Sequence, residues 1–199
     1  MSVYADLLIS MLSVIRNKKP TRNIWQLWDR GFDQESCDFI CDELVSQTQQ
    51  ATIGVAGSDV NESIRSSRVQ WLTDNEWLRN RLWDYIRMAN DNAFDFHLHD
   101  IENIQYTEYH ANDEGHYDWH IDTFWDADQK YDRKLSLTIQ LSDNDEYEGG
   151  DFECEIESPN NRNRGSVVVF PSYIRHRVTP VTRGVRKSLV CWVNGPRWR

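Results

Sequence analysis

The sequence is poor in the residues that staple or anchor a chain. It has four cysteines in 199 residues, Cys37, Cys41, Cys154 and Cys191, with no Cys-x-x-Cys spacing and no dense framework. That pattern argues against a disulfide scaffold and predicts reduced core thiols in a cytoplasmic protein. Long apolar runs are also missing. The most apolar N-terminal stretch, Ala5 to Ile15, is eleven residues with Asp6 inside it; a bilayer crossing needs about 20. Arg16, Lys18 and Lys19 follow that stretch rather than precede it, the reverse of an export signal. The expectation is a short docking helix ended by Pro20. Positive charge is short as well, 22 Lys and Arg against 32 Asp and Glu, a formal net charge of -10. Such a surface repels phosphate backbones and anionic membranes, so neither nucleic acid nor a membrane is an expected partner.

What the chain does have is aromatic bulk: nine Trp, eight Tyr and seven Phe, within 39% hydrophobic and 27% charged residues. That is enough to build a core and excludes global disorder. The length suits one domain over residues 1–199. Residues 1–94 read as mostly helical support. Asp33 is an N-cap for a helix whose apolar stripe runs through Cys37, Ile40, Cys41, Leu44 and Val45. Thr73 to Glu76 reads as a capping box before the stripe Leu78, Leu82, Ile86 and Ala89, and Arg68 to Leu72 reads as a strand between the two helices.

From residue 95 onward the pattern changes to short strands with turn residues between them, the sign of an antiparallel sandwich or barrel. The expected strands are Phe94 to Ile101, Ile104 to His110, His116 to Asp122, Lys134 to Leu141, Phe152 to Ile156, Ser166 to Phe170, His176 to Val181 and Arg186 to Val193. Turns fall at Asn112 to Gly115, Gly149-Gly150, Asn160 to Gly165 and Thr182 to Gly184. The fold class is α+β, mainly β: a jelly roll with the N-terminal helices packed on one sheet.

The chemically pointed segment is His120-Ile121-Asp122. Residues i and i+2 of a strand project to one face, so an imidazole and a carboxylate can share an ion. His176, opening a late strand, is the best third ligand. Two His and one carboxylate form the facial triad of non-haem Fe(II) oxygenases, although a zinc hydrolase could use the same three ligands. Arg186 separates the two readings. It starts the strand after the Thr182 to Gly184 turn, on the inner face with Ser188, Val190 and Trp192. Its guanidinium suits the far carboxylate of a dicarboxylate chelated by iron, namely 2-oxoglutarate.

These residues carry a family resemblance. From about Asn23 to Asn194 the chain resembles the prolyl-4-hydroxylase-like 2-oxoglutarate/Fe(II) dioxygenases, including the bacterial and phage PKHD-type group. The matching pieces are Gln105-Tyr106-x-x-Tyr109, Gly115-x-Tyr117-x-x-His120-x-Asp122, Arg133-x-Leu135-Ser136, Tyr147 to Phe152, Phe170-Pro171-Ser172, and His176-x-Val178-x-Pro180-Val181-Thr182-x-Gly184-x-Arg186. The resemblance implies a double-stranded β-helix, with His120, Asp122 and His176 as iron ligands and Arg186 on the C5 carboxylate of 2-oxoglutarate. It also suggests Tyr109 as a hydroxyl donor to that cosubstrate and Gln140 as a further polar contact, with Fe(II), 2-oxoglutarate and O₂ as cofactors and ascorbate as a candidate reductant. The implied activity is hydroxylation of an unactivated C–H. A proline in a peptide or protein substrate is favoured, with a free amino acid or other small molecule as the alternative; a non-catalytic jelly-roll binding module is the competing class.

Several residues keep bland readings at this stage. His97-x-His99 with Glu102 offers a second, weaker metal pattern of the cupin kind. Trp119, Phe124 and Trp125 fit core filling as well as a substrate channel. The acidic segment Thr123 to Asp132 is either a solvated turn or a cover over substrate. Oligomeric state is not encoded in any motif.

Overall fold

The computed structural model describes residues 23–52, 61–72, 74–125 and 129–199. The expected helix over Ala5 to Ile15 lies outside them, as does Thr73. Chain order begins with β1 (Gln26–Trp28), a short helix α1 (Gln34–Asp38) that widens into a π-turn (Phe39–Leu44), and strands β2 (Gln49–Gln50), β3 (Arg65–Ser66) and β4 (Arg68–Trp71). Helix α2 (Glu76–Ala89) follows, then β5 (Ile101–His110), β6 (His116–His120), β7 (Tyr131–Gln140), β8 (Tyr147–Gly149) and β9 (Phe152–Cys154). The chain closes with β10 (Val167–Pro171), β11 (His176–Val178) and the sixteen-residue β12 (Val181–Pro196).

The strands form two antiparallel sheets. The larger runs β1-β10-β7-β12-β5-β4-β2, with β8 also paired to β12; the smaller runs β3-β6-β11-β9. In the larger sheet, alternation sorts the side chains by face. Leu135, Leu137 and Ile139 of β7 and Leu189, Cys191 and Val193 of β12 join Leu78, Leu82, Ile86 and Cys37 of the helices in one buried cluster. The opposite parity of β12, Arg186, Ser188, Val190 and Trp192, lines a cavity between the sheets. The helices therefore cover one sheet face, and the other face is left for chemistry.

Asp33 caps α1, accepting a hydrogen bond from the Ser36 amide at 2.8 Å. For α2 the cap is Asn75, whose side chain accepts from the Leu78 amide at 2.8 Å. The capping-box assignment is thereby corrected: Glu76 is the first helical residue rather than the third, so it cannot reach back as the box requires.

Two further expectations change. Residues 1–94, where described, add three strands to their helices and the expected Arg68–Trp71 strand: β1 and β2 extend the larger sheet with β4, and β3 borders the smaller one. Phe94 to Ile101 is not a strand. After the π-turn Asn90–Phe94 the chain leaves through Asp95 at φ +52°, and the Asn90 side chain bonds both the amide and the carbonyl of Phe96. Those polar bonds hold an irregular connection in place of a ladder. β8, too short for a period-two pattern, is an addition.

Candidate active site

β6 and β11 are neighbours, and their register sets His176 opposite His120. Asp122 lies just beyond β6, its backbone amide donating to the Ser172 carbonyl at 2.9 Å. The result is a cluster in which one ligand atom from each of His120, Asp122 and His176 lies within 4.8 Å of the others, the only such group of His, Cys, Asp and Glu among the described residues. His120 Nε2 is 3.7 Å from Asp122 Oδ1, and His176 Nε2 is 3.6 Å from Oδ2. His97 and His99 join no such group, and the cupin-like pattern receives no support.

The protonation states suit a cation. His120 Nδ1 lies 2.7 Å from the Asp118 carbonyl and His176 Nδ1 2.9 Å from that of Ile174. A carbonyl only accepts, so each Nδ1 carries a proton and each Nε2 is the atom left facing Asp122. Burial, with the neighbouring His176 adding to it, pushes His120 down to about 3, so it is neutral near pH 7. Burial pushes the Asp122 carboxyl up, but His176, His120, Arg133 and the Ser136 hydroxyl together outweigh it and hold the group below the ordinary carboxylate value. Ser136 Oγ donates to Asp122 Oδ2 at 2.6 Å and is itself 3.0 Å from Ser172 Oγ. The Tyr117 ring stacks on His120 with centroids 3.5 Å apart. Two imidazoles and an ionised carboxylate, each oriented by a second group, fit a divalent transition metal such as Fe(II).

Beyond the cluster extends a cavity of about 360 Å³. Arg186, on its wall, is only 2% exposed. It lies opposite Tyr109 in the β12–β5 register, its Cζ 5.5 Å from the tyrosine ring centroid. Neither the guanidinium nor the Tyr109 hydroxyl hydrogen-bonds to a described residue, and Arg186 has no carboxylate partner among them. A buried cation facing a cavity in this way is a receptor for an anion. Gly150 stands behind it at φ +61°, where a Cβ would meet Arg186 Cδ at 3.0 Å.

Gln140 is not part of this wall. Its amide nitrogen donates to the Ser142 carbonyl and the Tyr147 hydroxyl, a bond that ties β7 to β8. Thr138, two residues earlier on the same face, lines the cavity instead. Of the flanking aromatics, Phe124 lines the cavity, Trp125 is 53% exposed, and Trp119 lies under Arg175 and Arg177 on the smaller sheet. Arg65, which the sequence reading did not single out, also lines the cavity. It comes from β3, whose pairing with β6 joins residues some fifty positions apart, and no local pattern announces it.

Residues 104–194 match the sequence model of the 2OG-Fe(II) oxygenase superfamily. A PKHD-type hydroxylase of Synechococcus sp. (strain CC9311) is 39% identical over 83 residues, 40% of this chain and 37% of that relative. The match thus spans little more than a third of the relative's length. Among solved structures, a Pseudomonas putida prolyl-4-hydroxylase superposes with a TM-score of 0.68 at 20% identity, covering 94% of this chain and all of the other. A prolyl hydroxylase from Trichoplax adhaerens, in complex with a hypoxia inducible factor peptide fragment, gives 0.70 at 14% identity, covering 97% and 93%. The fold is therefore that of the prolyl hydroxylases, and residues 104–194, which carry the clustered site, are similar to the 2OG-Fe(II) oxygenase superfamily. The His120, Asp122 and His176 cluster fits the iron of that superfamily.

Proposed function

We propose that the protein is a hydroxylase whose Fe(II) is held by His120, Asp122 and His176, with Arg186 and Tyr109 holding the far carboxylate of 2-oxoglutarate and a peptidyl proline as substrate. The observation that carries this reading is the pairing of one metal-competent cluster with one buried, unpaired guanidinium along the same cavity. A zinc hydrolase has no use for Arg186, and a retired binding module has no reason to keep both. When bound, Fe(II) with 2-oxoglutarate and O₂ supplies the oxidising power that turns C–H into C–OH, with succinate and CO₂ as the other products.

The chain's own work is placement. Ser136 and the Ser172 backbone hold Asp122, the carbonyls of Asp118 and Ile174 fix the two imidazoles, and Arg186 sets the direction of the dicarboxylate. Val190, Phe170 and Trp192 make the walls partly apolar, which limits water around the reacting centre. A peptide substrate is supported by the peptide bound to the Trichoplax adhaerens neighbour. Four free, mostly buried cysteines support a reducing, cytoplasmic setting, and among the described residues no helix is long and apolar enough to cross a membrane. The net charge of -10 argues against nucleic acid as substrate.

The test is an anaerobic titration of the metal-free chain with Fe(II) and then 2-oxoglutarate, following the visible charge-transfer band that chelation produces. The reading expects a band in the wild type that is lost in His176→Ala and weakened in Arg186→Ala. Bound iron without a band would overturn it.

A further inference from the structure

The cavity contains a second buried guanidinium. Arg65 is 8% exposed. Its Nε donates to Ser67 Oγ and its Nη2 to Gln105 Oε1, both at 2.8 Å, and its Cζ lies 4.7 Å from the centroid of the Tyr117 ring. Those partners are all neutral, and Arg65 forms no ion pair with a described residue. The other charges of the cavity wall are already matched: Arg133 grips Glu102 through Nε and Nη2 at 3.0 and 2.8 Å, and Asp122 faces the two histidines. Arg65 and Arg186 are therefore the cations left over.

Gln105 adds a donor to the same spot. Its Oε1 accepts from both Arg65 Nη2 and Thr107 Oγ1, which fixes the amide orientation and leaves Nε2 as a donor with no partner among the described residues. Gln105 and Tyr109, the residue opposite Arg186, are four positions apart on β5, roughly 13 Å along the strand. Arg65, bonded to Gln105, and Arg186, opposite Tyr109, therefore meet β5 at separate positions.

We infer that Arg65 and the Gln105 amide form a second carboxylate receptor, used by the substrate: the molecule hydroxylated carries a carboxylate close to the carbon attacked, as a free amino acid or a residue at or beside an acidic group of a peptide does. This rests on the hydroxylase reading and narrows its substrate. The Tyr117 ring, stacked on His120 and in contact with Arg65, puts the receptor next to the metal ligands, where an anchored carboxylate sets which carbon faces the metal. A buried guanidinium with a second N–H donor beside it favours a carboxylate over its uncharged amide, because the amide leaves the cation unpaired.

The test uses the full chain loaded anaerobically with Fe(II) and 2-oxoglutarate. Calorimetric titration compares L-proline and N-acetyl-L-proline with their primary amides. The expected result is acids binding at least about tenfold more tightly than amides, a preference lost in Arg65→Gln and partly kept in Arg65→Lys, with thermal melts reporting that both variants are folded. Equal binding of acids and amides in the wild type, no binding of the acids, or a preference that survives Arg65→Gln would overturn the inference. So would an Arg65→Gln protein whose 2-oxoglutarate dissociation constant rises about tenfold, since that assigns Arg65 to the cosubstrate. The acid and amide titrations are repeated on the metal-free chain. A missing charge-transfer band then refutes the iron reading while the carboxylate receptor is still decided.

Discussion

Ser136 donates its hydroxyl to Asp122 Oδ2 at 2.6 Å, so a strand of the larger sheet orients a carboxylate carried by the smaller one. The same Oδ2 lies 3.6 Å from His176 Nε2. Removing the hydroxyl leaves Asp122 buried with one fewer donor. Ser136→Ala is expected to weaken Fe(II) binding by about 10- to 100-fold, the usual effect of losing a group that orients a metal ligand. Iron affinity measured by competition with a chelator checks this, and an unchanged affinity would assign Ser136 to packing alone.

Asp122→Ala removes the one anionic donor of the cluster. Stoichiometric iron binding and succinate formation are both expected to fall below detection, while the far-ultraviolet spectrum stays that of the wild type. Succinate production at the wild-type rate would sink the ligand assignment.

Arg186→Gln is expected to raise the 2-oxoglutarate dissociation constant by the equivalent of about 2–5 kcal/mol, since a desolvated ion pair is lost with one partner left buried. Iron binding should be little changed, because Arg186 is not one of the clustered ligand residues. Comparable losses of iron and of 2-oxoglutarate would mean that the substitution disrupts the fold.

Acid should destabilise the metal-free protein. His120 is pushed down to about 3 from an ordinary 6.5, so between those values the unfolded chain binds a proton that the folded chain does not. Stability from this group is complete above 6.5 and is lost as pH falls toward 3. The depressed Asp122 acts in the same direction, losing its contribution as pH falls through its folded value. Urea midpoints measured across that range should fall with pH, and His120→Gln should flatten the slope.

Leu82 is fully buried between α2 and the larger sheet, and Leu82→Ala is expected to cost about 2–5 kcal/mol. Asn75→Ala, which removes only the cap of the same helix, should cost about 1 kcal/mol. Chemical denaturation of the two variants would separate packing from capping.

The legible parts of the sequence are those written in local period. Two-residue alternation marked β5, β7 and β12, and Asp33 announced its helix. His120 and Asp122 could be linked because they are two positions apart. What escaped depends on partners remote in sequence. β1 is a strand because Val167 to Val169 of β10 present an edge to it, and Arg65 enters the cavity because β3 pairs with β6. Gln140 shows a related effect: parity puts it on the face of Thr138, but the Tyr147 hydroxyl and Ser142 carbonyl take its amide nitrogen. Phe94 to Leu98 alternates like a strand, yet the polar bonds of Asn90 outcompete a ladder there.

β12 carries Arg186 and Trp192 on one rigid strand bonded to both β5 and β7. It works as a graduated rule whose marks are two residues apart. A slip of one residue would turn Arg186, Ser188, Val190 and Trp192 toward the helices and drive Leu189 and Cys191 into the cavity. Along β12, the backbone position that presents a side chain to the cavity can therefore shift only in steps of a whole pleat pair, about 6–7 Å. On the proposed function, a five-carbon diacid and its four- or six-carbon homologues differ by far less than one such step, so a register shift of β12 offers no way to trade one for another.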